Sequence, residues 1–141
     1  MPQIDKDACR AAYDQVRNDD TDTNWAAFKY EDDNIVPAGV GCDFEDFKNL
    51  CTDDCRIFGF LRVTTGDAMS KRAKFTFITW MGKNISGLKL GKISTDKALV
   101  KEIVQNFAKE FSFNDQKDLD EEYIREELKK TGGANYDAQA E

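Results

Sequence analysis

Hydrophobic residues recur along this chain with two different spacings, which separate predicted helices from predicted strands. Apolar residues three and four positions apart line one face of a helix, whereas runs rich in aromatic and β-branched residues are typical of strands. The helical spacing predicts four helices, at residues 5–17, 43–50, 99–107 and 118–130. The second pattern predicts five strands, at residues 25–30, 34–40, 56–64 and 74–81 and around Phe111 and Phe113.

The start of the third helix is the boundary that the pattern defines least. Residues 99–107 are clearly amphipathic, and Ser94 or Thr95 could cap the helix. The segment before them, "SGLKLGK", fits a strand, a loop or an earlier part of the same helix, because Gly91 permits all three. Hydrophobic spacing alone leaves these alternatives open.

The two longest apolar strands, residues 56–64 and 74–81, are expected at the centre of the sheet. Since they are apolar on both faces, helices must cover both sides. Pro37 cannot donate a ladder hydrogen bond, so strand 34–40 should lie toward an edge. The order of elements predicts an α/β (α+β) fold with a mixed sheet between helices. Residues 131–141 lack hydrophobic periodicity and are predicted to be a flexible tail after one domain, residues 1–130.

Composition supports a single domain and disfavours several classes of protein. The 141 residues are 40% hydrophobic, which is enough for one core. No apolar run reaches the ~18 residues of a membrane helix, and no secretory leader is apparent, so we expect a cytoplasmic protein that does not insert into membranes. With 27 acidic and 20 basic residues the net charge is −7, which disfavours nucleic-acid binding.

Candidate catalytic and metal-binding residues are few. The sequence has no histidine, which removes the usual general base and a common zinc ligand. The four cysteines lack the paired spacing of zinc sites and are expected to be reduced, small core residues. Asp20, Asp22, Asn24 and Glu31 match part of a calcium-binding loop, but Trp25 occupies the position where that loop needs glycine. We therefore expect no enzymatic activity, no metal and no cofactor.

Lys71, Arg72 and Lys74 concentrate positive charge at one point of an acidic chain. They lie where the loop "TGDAMSKR" between the two longest strands enters the second strand. A protruding cationic ridge on a hairpin suits docking to an acidic protein surface, although the charges could also serve only to keep the hairpin soluble. Lys89 and Lys92 would share one face if their segment is helical.

Four segments resemble the coactosin group of the actin-depolymerising-factor homology (ADF-H) family. They are "IDKDACRAAYDQVRND", "CTDDCRIFGFLRVTTGDAMSKRAKF", "KALVKEIVQNFAKEF" and "ELKKTGGANYDAQAE". The resemblance runs from Ile4 to the last residue. It implies a single ADF-H domain with a five- or six-stranded mixed sheet between two pairs of helices. It also implies one long helix from about Ser86 to Gln105.

The resemblance implies a protein that binds the sides of actin filaments and regulates actin dynamics without severing or depolymerising them. Hindrance of filament capping, little or no binding to monomeric actin, a monomeric state and association with the cytoskeleton are expected with it. By position, Lys74 is the first candidate for the filament contact, followed by Lys71 and Arg72. Lys89 and Lys92 open the long helix, where cofilin-like members have a differently spaced lysine pair and this chain has leucines.

The alternative is a cytosolic adaptor whose main partner is a protein other than actin. Its contacts would be the C-terminal helix and tail, where Lys129 and Lys130 are expected to be exposed. Neither interpretation involves a cofactor, a nucleic acid or a membrane.

Overall fold

A six-stranded mixed sheet with helices on both faces forms the framework of the protein. The computed structural model describes residues 3–65 and 72–131, apart from the side chain of Arg72. Along these residues the elements are β1 (Gln3–Ile4), α1 (Lys6–Arg17), β2 (Trp25–Glu31), β3 (Asn34–Gly41), α2 (Phe44–Leu50), β4 (Arg56–Thr65), β5 (Arg72–Met81), α3 (Gly87–Lys101), β6 (Lys109–Phe113) and α4 (Glu121–Lys130).

The strand order is β1-β3-β2-β4-β5-β6, which confirms the predicted mixed sheet. The β1–β3 and β5–β6 pairs are parallel, and the other neighbouring strands are antiparallel. The two longest strands pair along their whole length and lie within the sheet, as predicted. Because β1 pairs only with Asn34 and Ile35, β3 is an edge strand at Pro37 within the described part of the chain. The two-residue β1 was not predicted, since so short a strand leaves no pattern.

Two hydrophobic clusters lie on opposite faces of the sheet, each closed by one pair of helices. Helices α1 and α3 cover one face, and α2 and α4 cover the other, as the resemblance implied. Alternation along β4 sends Phe58 and Phe60 to the first cluster and Ile57 and Leu61 to the second. Each buried side chain of this size contributes about 1.5–3 kcal/mol. Both faces therefore contribute to stability.

Side-chain caps define where the helices begin. Asp5 Oδ1 accepts from the Ala8 amide at 3.2 Å, and Asp120 Oδ2 accepts from the Tyr123 amide at 2.9 Å. Ser86 caps α3 by accepting from the Lys89 amide at 3.3 Å. The start of the third helix, which hydrophobic spacing left open, therefore follows Ser86, as the resemblance implied. The prediction that Ser94 or Thr95 caps this helix is wrong.

The end of α3 differs from the prediction. The apolar spacing predicted a helix through Phe107, and the resemblance placed its end near Gln105, yet the helix ends at Lys101. Ile103 and Val104 are buried from the turns that follow, so they satisfy the apolar pattern without helical backbone. The chain turns at Asn106, which has a φ of +62° and leads into β6. Similarly, α4 begins at Glu121 rather than 118, because Asp120 is its cap.

The cysteines lie in three different environments. Cys9 and Cys51 are buried, as predicted, whereas Cys55 is half-buried and Cys42 is exposed. Burial, reinforced by nearby Asp5, raises the pKa of Cys9 to about 11. Burial also raises the pKa of Cys51 strongly. The two buried thiols therefore stay protonated at neutral pH.

The predicted tail falls almost wholly on residues 132–141, outside the described residues.

Replacing Gly59 by Ala is expected to lower the free energy of unfolding by roughly 1–3 kcal/mol, because the new methyl group would lie 2.5 Å from Cζ of the buried Phe47 ring. Urea unfolding would measure the effect. Gly87→Ala is the control, since a Cβ atom there would meet no described atom within 4 Å. Equal midpoints for the two variants would contradict this account of the core.

Candidate functional site

Lys74 lies inside the protein rather than on an exposed ridge. Its residue exposure is 3%, and its ammonium donates to the Leu128 carbonyl at 3.1 Å and to Thr131 Oγ1 at 3.4 Å. The side chain is on the face of β5 that α4 covers. The last carbonyls of a helix lack intrahelical donors, and a cation there is favoured by the helix dipole. The prediction that Lys74 protrudes is therefore wrong, and its part in binding a partner stays a prediction.

The rest of the basic loop is described only in part. Lys71 lies outside the described residues, and the backbone of Arg72 pairs with Thr65 at the first position of β5. Lys74 thus ties the strand that leaves this loop to the C-terminal end of α4. The start of β5 and the candidate C-terminal surface meet at that point.

The first half of α3 is the most exposed helical segment among the candidate sites. Every residue from Ser86 to Lys92 is exposed, and Lys89 and Lys92 lie three positions apart in the helix, which confirms that they share a face. Leu88 is 75% exposed and Leu90 38%. Hydrophobic spacing did not identify these leucines as surface residues. Leu88 is five positions before Ile93 and so falls off the apolar face formed by Ile93 and Val100, whereas Leu90, three positions before Ile93, carries no such signal.

Three buried residues anchor α3 to the sheet, and one of them is a carboxylate. Ile93 and Val100 are apolar, but Asp96, at 3% exposure, accepts a 2.6 Å hydrogen bond from the Tyr30 hydroxyl. Burial, together with this bond, raises the pKa of Tyr30 strongly. The Arg56 guanidinium lies 3.7 Å above the centre of the Tyr30 ring. These contacts connect α3 to β2 and β4.

The second half of α3 is tied to β6 by ion pairs. Glu110 carboxylate oxygens lie 2.6 Å from Lys97 Nζ and 2.6 Å from Lys101 Nζ. Burial alone would raise the pKa of Glu110, but hydrogen bonds and charge from the two lysines outweigh it and hold the pKa below its usual value. The C-terminal half of α3 is therefore held at a fixed place on the sheet.

Lys129 and Lys130 are exposed at the end of α4, as predicted. Their ammonium groups lie 3.0 Å from Glu126 and 2.9 Å from Glu127, one turn earlier on the same helix. The hydrogen bond that Lys130 donates to Glu127, helped by the charge of that carboxylate, raises the pKa of Lys130. Since the helix itself supplies the counter-charges, these lysines present less net positive charge than their number suggests.

The sheet separates the predicted contact residues into two groups. Lys89 and Lys92 project from α3, on the same face as α1, whereas Lys74 and the two C-terminal lysines lie at the end of α4 on the other face. Within the described ranges, no three metal-ligating side chains are grouped closely enough to hold an ion. No helix among the described residues is long and apolar enough to cross a membrane.

Comparison with known proteins defines the class to which this fold and surface belong. Residues 2–129 match the model of the cofilin/tropomyosin-type actin-binding proteins. The chain belongs to this family. The Coactosin-like protein of Rattus norvegicus is 60% identical over 99% of this chain and 98% of its own length. Coactosin of Dictyostelium discoideum is 37% identical over 96% of this chain and 95% of its own.

Solved structures support the same relationship. The crystal structure of human coactosin-like protein matches with a TM-score of 0.88 and 56% identity, over 92% of this chain and 99% of that chain. Mouse coactosin, an actin filament binding protein, matches with a TM-score of 0.78 and 58% identity, over 99% of each chain. The resemblance to the coactosin group and the ADF-H fold are thereby confirmed.

Glu110→Gln is expected to lower the free energy of unfolding by about 1 kcal/mol at pH 7. Because the folded state holds the pKa of Glu110 below its ordinary value of 4.5, this stabilisation is complete above that pH and is lost as the pH falls through the lower, folded-state pKa. The difference between natural chain and variant should therefore shrink on acidification. Urea unfolding at neutral and acidic pH would measure it.

Glu102→Gln is the matched control, since that carboxylate lies 3.9 Å from Lys6 Nζ and both side chains are more than half exposed, at 58% and 67%. A difference for Glu110→Gln that stays constant with pH would contradict the assigned ion pairs.

Proposed function

We propose that this protein binds the sides of actin filaments and regulates the actin cytoskeleton without severing or depolymerising filaments. The observation that carries the proposal is similarity along nearly the whole chain to mouse coactosin, an actin filament binding protein. Membership of an actin-binding family supports the same partner. The exposed first half of α3 supplies a surface of suitable chemistry.

Docking through this surface needs no covalent step and no cofactor. Lys89 and Lys92 offer positive charge to an acidic partner, and each exposed ion pair contributes only about 0–1 kcal/mol. Leu88 adds apolar area, at about 25 cal/mol per Å² removed from water. The expected affinity is modest and falls with salt, because exposed charges are screened. A filament offsets this by offering many equivalent sites.

The basic loop is the second part of the proposed interface. Lys71 and Arg72 are proposed as direct contacts. Arg72 is the first residue of β5, and Lys71 precedes it in the sequence. Lys74 is proposed to act through the end of α4, because its ammonium is already bonded to Leu128 and Thr131. In this arrangement Lys74 fixes how the loop and the helix end are presented to the filament.

The finer features of the function follow the coactosin resemblance. We propose a cytoplasmic, cytoskeleton-associated monomer that has little or no affinity for monomeric actin and hinders capping proteins by occupying the filament. The resemblance implies that leucines of this chain fall where cofilin-like members have their lysine pair, which favours weak binding of monomers. The adaptor function is less well supported, since Lys129 and Lys130 are paired with glutamates of their own helix.

Lys89→Glu is expected to weaken filament binding roughly fivefold or more at low salt, because an attractive charge becomes repulsive. The fold should not suffer, since a glutamate three positions after the Ser86 cap suits the start of α3. High-speed cosedimentation with actin filaments at two salt concentrations is the measurement. Lys117→Glu makes the same charge change in the turn before α4, whereas Lys74 bonds the opposite end of that helix, and this variant should pellet normally. Equal pelleting of both variants would argue against the α3 surface.

Lys74→Met keeps an apolar stem of similar length but removes the ammonium. We expect it to lower the free energy of unfolding by about 1–3 kcal/mol, because the buried carbonyl at the end of α4 loses a charged donor, and to weaken filament binding. Unfolding and cosedimentation should be measured on the same sample. Weakened pelleting with unchanged stability would instead make Lys74 a direct contact, and unchanged values of both would remove it from the interface.

A further inference from the structure

The first half of α3 is a weak helix by its own sequence. Gly87 and Gly91 each cost about 1 kcal/mol relative to alanine in a helix interior, and somewhat less at the first position. The first turn contains no acidic residue, and Lys89 places a positive charge at the positive end of the helix dipole. The surrounding residues are exposed, so burial adds little. Contacts from elsewhere in the fold must hold this segment helical.

Tyr30 of β2 contributes to two contacts of α3, one at Lys89 in its first half and one at Asp96 just beyond that half. Its hydroxyl donates to the buried Asp96 carboxylate at 2.6 Å. Its ring supports the Arg56 guanidinium, which lies 3.7 Å above it and donates to the Lys89 carbonyl at 3.3 Å. Lys89 and Asp96 are seven positions apart, which brings them to the same side of the helix, two turns from each other.

Neither contact is easily replaced by packing. Asp96 is 3% exposed, and its carboxylate has the Tyr30 hydroxyl as its hydrogen-bond partner in the described part of the protein. A buried carboxylate that loses its donor is strongly disfavoured. An open groove of about 490 Å³ borders Tyr30, Arg56 and Lys89, so this side of the segment is open to solvent.

We propose that Tyr30 is a positioning residue that, through Asp96 and Arg56, holds the first half of α3 in the helical form that presents Lys89 and Lys92. The consequence for actin rests on the function proposed above, whereas the effect on the helix does not. Tyr30 itself need not touch the filament. Removing its hydroxyl loosens a surface that begins two turns before Asp96.

Hydrogen–deuterium exchange of Tyr30→Phe tests the effect on the helix. We expect the amides of residues 90–95 to exchange roughly fivefold faster or more, since loss of one part-buried hydrogen bond shifts a local opening equilibrium by that order. Tyr13→Phe is the matched control. It also removes a buried tyrosine hydroxyl, which bonds the Gln105 carbonyl at 2.9 Å, beyond the other end of α3. Exchange in residues 90–95 should be unchanged in this control.

Gly91→Ala in the Tyr30→Phe background is expected to restore slow exchange. A Cβ atom at Gly91 would meet no described atom within 4 Å, so the substitution raises helix propensity without a clash inside the protein. Because Gly91 lies within the proposed contact surface, exchange is the readout for this variant. Slow exchange restored by this remote methyl group would show that Tyr30 acts through the order of the helix.

Three results would overturn the proposal. They are unchanged exchange at residues 90–95 in Tyr30→Phe, equal acceleration in Tyr13→Phe, and fast exchange that Gly91→Ala does not reverse. If the natural chain fails to pellet with filaments, the proposed function fails, and the exchange data still decide whether Tyr30 positions α3. If the natural chain pellets and Tyr30→Phe pellets equally while its helix is loosened, the positioning role does not extend to actin.

Discussion

The ten-residue antiparallel pairing of β4 with β5 is the constraint on which the rest of the structure depends. Successive side chains of a strand point to opposite faces, so this one ladder builds both hydrophobic clusters. The rings of Phe60 and Phe75 stack with their centres 5.3 Å apart on the face covered by α1 and α3. Ile78 and Trp80 pack on the opposite face, which α2 and α4 cover. Neither helix pair could be placed without the register of these two strands.

The same ladder fixes the distance between the two parts of the candidate interface. β5 sends Lys74 toward the end of α4, and the next residue, Phe75, lies beneath Arg17, whose guanidinium carbon is 4.5 Å from the ring centre. One strand therefore supports groups on both faces of the sheet. A filament that contacted both α3 and the end of α4 would have to match a separation that includes the thickness of the sheet.

Much of the fold could be predicted from the sequence because burial and capping leave local signals. The apolar face of α1 and its Asp5 cap, the hairpin between β2 and β3, and the two long strands all follow from neighbouring residues. Where the prediction was wrong, contacts outside the local sequence pattern determine the backbone conformation. Ile103 and Val104 follow helical spacing because they are buried, but the entry into β6 bends their backbone. Periodicity reports burial and leaves backbone conformation undetermined.

The candidate site was less accessible to sequence reasoning for the same reason. In the sequence Lys74 resembles a surface cation, because the carbonyl that it bonds belongs to Leu128 of α4, 54 positions later in the chain. Asp96 likewise resembles an ordinary exposed residue of a helix, because its partner Tyr30 is 66 positions away. Polar residues buried by long-range contacts leave no local pattern. Only the tertiary structure shows which charges are internal.

The unequal environments of the cysteines have a practical consequence for spectroscopy. Cys42 is the exposed thiol of the four, while Cys9 and Cys51 are shielded in the two hydrophobic clusters. It follows Gly41, which pairs with Trp25 at the start of β2, about 20 Å along that strand from its far end at Glu31. A maleimide fluorophore would therefore attach to the natural chain far from α3. Filament occupancy could then be followed by fluorescence without introducing a new cysteine.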